Sequence, residues 1–145
     1  MHRHSSHKAA SLSPARISST HRRGLVLCID DEACGLRSRQ LILEKAGYEV
    51  TTCLDGKKGM KVFSAMPVNI VVLDYAMPGL DGVEIARQMR QIKPDVPIIM
   101  FSGYPDPPVD SAAVVDVYIV KGTGPDFLLQ TIKQLLERSK RISAA

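Results

Sequence analysis

From residue 24 to its end, the chain alternates short β-branched or aliphatic runs with longer amphipathic segments, five times in all. Parallel strands need long crossovers, and helices that carry such crossovers cover both faces of the sheet. The pattern therefore predicts an α/β protein with a doubly wound five-stranded parallel sheet. Strands are expected over 25–29, 48–53, 70–73, 97–101 and 117–120. The third, Ile70-Val71-Val72-Leu73, is apolar at every position, as suits a central strand buried on both faces.

Helices are expected over 33–46, 56–66 and 82–92, with a last one starting near Pro125. In the first, Leu36 and Leu43 stand two turns apart and Gly47 suits a left-handed C-cap. Met60 and Phe63 point inward from the second, which stops at Pro67. The third presents Val83, Ile85, Ala86 and Met89, and the last carries Phe127, Leu128, Ile132, Leu135 and Leu136 at helical spacing. The crossover over 103–116 is different. Pro105, Pro107 and Pro108 remove backbone donors and bias their predecessors towards extended geometry, leaving only 109–115 for at most one or two helical turns. This segment is expected to be the most mobile part of the fold.

At 145 residues the chain has the size of one ordinary domain. An apolar fraction of 45% and a charged fraction of 23% suit a water-exposed globular fold, and no apolar run approaches the roughly 20 residues of a membrane span. Residues 1–24 hold five basic side chains (Arg3, Lys8, Arg16, Arg22, Arg23), all four histidines and no acid. The rest has 14 of the 19 basic residues against all 15 acidic ones, so the net charge of +4 resides in that tail. The chain accordingly divides into a disordered basic tail over 1–23, a folded unit over 24–139 and a C-terminal tail over 140–145. A solvated extension is a more economical reading of the basic tail than a nucleic-acid contact. Arg22-Arg23 followed by an apolar run to Cys28 mimics an export signal, but that run falls short of the about 7 to 15 residues required. Cys28, Cys34 and Cys53 have neither zinc-ligand spacing nor a C-x-x-C pair, so reduced thiols in a cytoplasmic setting are expected, with Cys28 and Cys53 in the core.

In a doubly wound sheet, ligands bind beyond the carboxyl ends of the strands. Asp30, Asp31 and Glu32 follow the first strand, Asp74 the third, Ser102 the fourth and Lys121 the fifth, so distant residues converge on one edge. Three carboxylates there repel one another unless a cation joins them. An oxygen-only donor set without histidine or cysteine suits Mg2+, and Lys121 completes a neutral balance of charge. On this count, Asp30→Asn is expected to raise metal-free stability by relieving repulsion.

These residues, with Met77-Pro78 and Asp81-Gly82 after Asp74 and Gly103 after Ser102, resemble the receiver domains of bacterial response regulators over about 24–139. The resemblance implies a flavodoxin-like strand order of 2-1-3-4-5 and a single-domain, phospho-accepting signalling protein that catalyses only its own phosphorylation and dephosphorylation. Asp74 is then the nucleophile, supplied by a histidine kinase or histidine phosphotransfer protein. Asp31, Asp74 and the backbone carbonyl of Ala76 would ligate Mg2+, with Asp30 acting through water. Lys121 would pair with the phosphoryl group, while Ser102 and Tyr118 would form the switch that addresses a downstream protein or relays the phosphoryl group. A pseudo-receiver that binds partners without phosphorylation is the alternative. A metabolic phosphotransferase would need a second acid where Ala76 stands. Lys121 is followed by Gly122 instead of the family's usual proline, and a trans Lys121–Gly122 peptide is expected.

Overall fold

The computed structural model describes residues 22–144. Five parallel strands form one sheet: β1 (Leu25–Ile29), β2 (Glu49–Cys53), β3 (Ile70–Asp74), β6 (Ile98–Ser102) and β7 (Val117–Val120). Their order is β2-β1-β3-β6-β7, so the chain reverses direction across the sheet between β1 and β3. This is the expected 2-1-3-4-5 order, with a separate hairpin, β4 (Ala76–Met77) and β5 (Leu80–Asp81), intervening after β3. Every residue of β1 and β3 is buried, as their apolar runs Leu25–Ile29 and Ile70–Leu73 require, and Asp74 is buried with them at the end of β3.

Successive strand residues face opposite sides and build two cores. On one side Leu25, Leu27, Ile29, Val71 and Leu73 pack with Phe63 of α2 (Gly56–Ala65) and with Val83, Ile85, Ala86 and Met89 of α3 (Gly82–Ile92). On the other, Val26, Cys28, Ile70, Val72 and Ile99 meet Leu36 and Leu43 of α1 (Ala33–Lys45) and Leu128, Ile132 and Leu135 of α4 (Pro125–Ala144). Cys28 and Cys53 are buried in these cores and Cys34 is exposed. Burial pushes the Cys28 thiol up to about 12, which makes it chemically quiet.

Local chemistry ends the helices where the sequence indicates. Glu32, Asp55 and Asp81 accept first-turn N–H bonds of α1, α2 and α3. Gly47 has φ of 100°, the left-handed turn into β2. Lys93 donates to the carbonyls of Phe63 and Met66 at 2.6 and 2.9 Å, satisfying the end of α2 from another element. Gly82 lies so close to the end of β3 that a Cβ there would sit 2.7 Å from the Asp74 carbonyl. Glycine is what lets α3 start directly beside Asp74.

Two readings need amendment. Phe127, assigned to the apolar stripe of the last helix, is 49% exposed, because the buried stripe runs through Leu128, Ile132 and Leu135 and Phe127 stands beside it. Residues 140–144 continue α4 instead of leaving it as a tail. The basic tail falls almost wholly on residues outside the described ones. Of its last two members, Arg22 pairs with Glu49 at 3.1 Å and Arg23 lies over the Tyr48 ring at 5.1 Å.

The crossover from β6 to β7 holds a single 3-10 turn, Ser111–Ala113, entered through Asp110 in a left-handed conformation. Ser111 and Val114 are its only buried members, and Val109 is 86% exposed. One docked valine contributes about 1.5 to 3 kcal/mol, too little to hold a long loop closed. We expect amides of 103–110 to exchange fast in hydrogen-exchange experiments and to slow when Mg2+ and beryllofluoride are added. Those of Val114, Val115 and Asp116, bonded to Ser111 and Ile98 carbonyls, should be slower throughout. Uniform protection of the segment in both states would contradict this.

Candidate functional site

The carboxyl ends of β1, β3, β6 and β7 bring the acidic and basic residues to one edge of the sheet. Asp30 follows β1, Asp74 closes β3, Ser102 closes β6 and Lys121 follows β7. One carboxylate oxygen from each of Asp30, Asp31 and Asp74 lies within 4.8 Å of the others. Asp30 and Asp74 are buried, at 1% and 5% exposure, whereas Asp31 faces solvent. Asp74 pairs in register with Phe101, so Ser102 stands one position further along the adjoining strand.

Two cations reach into the cluster. Lys121 Nζ lies 2.9 Å from Asp30 Oδ2 and 3.4 Å from Asp74 Oδ1. Arg39 Nη2, from α1, donates to the same Asp30 oxygen. The other Asp30 oxygen accepts the Glu32 N–H at 3.0 Å. Arg39 was not foreseen from the sequence, since an arginine on a helix ordinarily reaches solvent. Its one signal was position: it stands three residues after Leu36 and four before Leu43, on the stripe that faces the sheet.

This arrangement separates the two buried acids. Burial raises the Asp30 carboxyl, but the Glu32 N–H, Lys121 and Arg39 outweigh it and hold the group below the usual carboxylate range. Asp74 goes the other way. Burial first, and the charge of Asp30 next, push it up to about 6 against the opposing pull of Lys121. Asp74 is thus the buried acid whose negative charge is the less well compensated of the two.

The geometry reverses the expectation for Asp30→Asn. Asparagine would leave the buried Arg39 without the anion that balances it and Lys121 with only its longer contact to Asp74, and breaking a buried pair costs more than the repulsion it relieves. We expect metal-free stability to fall by about 1 to 3 kcal/mol, read as a lower melting temperature in EDTA. A rise in melting temperature would restore the simpler picture of crowded acids.

The remaining residues assigned from sequence lie around this cluster. Ser102 is fully buried, and its Oγ accepts the Tyr104 N–H at 3.1 Å. Tyr118, on the edge strand β7, donates its hydroxyl to the carbonyls of Tyr104 and Asp106 at 2.6 and 3.3 Å. Tyr75 and Tyr104 meet edge to face, 6.0 Å between centroids, beside Ala76 and the mouth of the site. The Lys121 N–H donates to the Ser102 carbonyl at 2.7 Å, joining the ends of β6 and β7. There is no cis peptide among the described residues, and Gly122 and Gly124 adopt φ of 95° and 96°, so glycine flexibility shapes the turn after Lys121.

The doubly wound parallel sheet thus gathers three carboxylates, a serine and a lysine along one edge, at its strand ends. The chain matches the family described as "Response regulator receiver domain" over residues 26–137, and it belongs to that family. It is therefore a receiver domain of two-component response regulators. It is 35% identical over 118 residues to a probable transcriptional regulator, ycf27, of Cyanophora paradoxa, covering 79% of this chain and 49% of that protein. The chain spans about half the length of the first curated relatives it matches. Among solved structures it resembles the response regulator TrrA of Thermotoga maritima in complex with Mg(2+)-BeF, at 33% identity and a TM-score of 0.74, covering 77% of this chain and 98% of that one. A CheY-like receiver domain from Methanospirillum hungatei gives 28% identity and a TM-score of 0.76, covering 81% and 97% respectively. None of the helices among the described residues is long and apolar enough to cross a membrane.

Proposed function

We propose that Asp74 accepts a phosphoryl group from the phosphohistidine of a histidine kinase or histidine phosphotransfer protein, as the act of a response-regulator receiver domain in the cytoplasm. The observation that carries this reading is the convergence of Asp30, Asp31 and Asp74 oxygens within 4.8 Å, with Lys121 Nζ bridging two of them. An Asp74 oxygen attacks phosphorus, the phosphorus–nitrogen bond of the donor breaks, and its electron pair returns to the imidazole, which takes up a proton. Lys121 neutralises the phosphoryl oxygens as they gain charge, so the protein's contribution is mainly positioning and electrostatics.

The donor set suits Mg2+: it is oxygen only, and the raised Asp74 carboxyl marks charge that a cation would relieve. Asp31, Asp74 and the backbone carbonyl of Ala76 would hold the ion, with Asp30 behind a water. When bound, Mg2+ supplies charge neutralisation and a template for the transferring group.

Ser102 and Tyr118 act as the switch. The Ser102 hydroxyl leaves the Tyr104 N–H for a phosphoryl oxygen, and Tyr118 releases the carbonyls of the 103–110 loop. With no long helix in this crossover, the change is an ordering of the loop, read by a downstream protein or followed by relay of the phosphoryl group. Incubation with acetyl phosphate and Mg2+ followed by intact-mass measurement tests the reading. A single phosphoryl adduct, lost with EDTA, is expected, and its absence would leave a pseudo-receiver that works by binding alone.

A further inference from the structure

We propose that Arg39 is a resident counter-ion of the acidic cluster that keeps its affinity for Mg2+ low and frees Lys121 to follow the phosphoryl group. The inference rests on the Mg2+ site proposed above and extends it to a residue outside that site. Arg39 is 11% exposed at its side chain, whereas Arg37, the other arginine of α1, is exposed. The Arg39 guanidinium lies 4.8 Å from the centre of the Phe101 ring, and its Nε is buried without a hydrogen-bond partner. Burying a guanidinium in this way is costly unless a carboxylate compensates it. Asp30, at 1% exposure, is that carboxylate.

The same Asp30 oxygen also accepts Lys121, whose Nζ lies 5.9 Å from the centre of the same Phe101 ring. Two cations thus share one anion and one aromatic surface. The consequence is a matter of charge. Three carboxylates with Lys121 alone would carry −2, and with Arg39 they carry −1. An arginine cannot be neutralised by losing its proton, so the reduction holds at every accessible pH. A divalent ion entering the cluster meets a weaker field than the acids alone would create. Lys121, in turn, can move from Asp30 to a phosphoryl oxygen without leaving a buried anion unpaired, because Arg39 stays behind.

The test is isothermal titration of Mg2+ into the full chain and its Arg39→Met and Arg39→Lys variants. Methionine keeps apolar contact with Phe101 and removes the charge, while lysine keeps the charge and loses the planar fork. We expect Arg39→Met to bind Mg2+ about tenfold more tightly than wild type, and Arg39→Lys to return to wild-type affinity. Equal or weaker binding by Arg39→Met would overturn the inference, since that is what loss of a merely structural contact to Asp30 would give. Should Arg39→Met not fold, Arg39→Gln is read in the same way. Failure of wild type and every variant to bind Mg2+ would instead remove the proposed metal site, and EDTA-sensitive labelling would vanish with it.

Discussion

Asp74→Asn is expected to reduce Mg2+-dependent labelling by acetyl phosphate to background while leaving the fold intact. Only a carboxylate oxygen can form the acyl phosphate, and the amide is close to isosteric with it. The surroundings tolerate the change. Asp74 is 5% exposed, so its replacement must fit a packed site, and asparagine fills the same volume. Lys121 keeps its closer partner, Asp30 at 2.9 Å, when the 3.4 Å contact to Asp74 weakens. Circular dichroism should therefore match wild type. Undiminished, EDTA-sensitive labelling of the variant would move the accepting group elsewhere.

The second large effect concerns pH. Burial and the charge of Asp30 hold the Asp74 carboxyl at about 6, against 3.8 for an ordinary aspartate. Between those values the native protein keeps a proton that the unfolded chain has released, so stability must fall as pH rises through that window. Two units correspond to about 2 to 3 kcal/mol, which is several degrees of melting temperature for a domain of this size. Asp30 has the opposite sign. Its carboxyl is held below the usual range, so it stabilises at higher pH and loses that contribution on acidification. The clean observable is consequently a difference: in EDTA, Asp74→Asn should melt several degrees above wild type near pH 7.5 and converge with it only below about pH 3.8, where the carboxyl is protonated in both states. A difference that does not change with pH would show that Asp74 carries no such strain.

Much of this molecule was legible because its signals are periodic or punctuated. The apolar runs of β1 and β3, the Leu36 and Leu43 pair and the prolines of 103–116 each act locally, through burial or a missing donor, and their elements follow. The convergence of Asp30, Asp74, Ser102 and Lys121 was legible because strand ends in a doubly wound sheet share one edge. Partnerships between distant polar side chains were not. Asp116 accepts both Arg90 at 2.6 Å and the Ile98 N–H at 2.8 Å, anchoring the edge strand, and neither its spacing nor its type announces this. Arg39 is the costliest omission. Counting charges along strand ends placed one cation in the cluster where the fold places two, and this reversed the sign expected for Asp30→Asn. Phe127 shows the complementary error: it stands beside the buried stripe of Leu128, Ile132 and Leu135 instead of within it.

The central claim, that the acidic edge exists to phosphorylate Asp74, is tested most directly by locating the bond. The protein would be incubated with acetyl phosphate and Mg2+, reduced with borohydride, which converts an acyl phosphate to an alcohol, and mapped by tandem mass spectrometry. The account predicts homoserine at position 74 and unmodified aspartate at positions 30 and 31. Homoserine at either of those positions, or a phosphoryl group on a serine or tyrosine that survives the reduction, would contradict it.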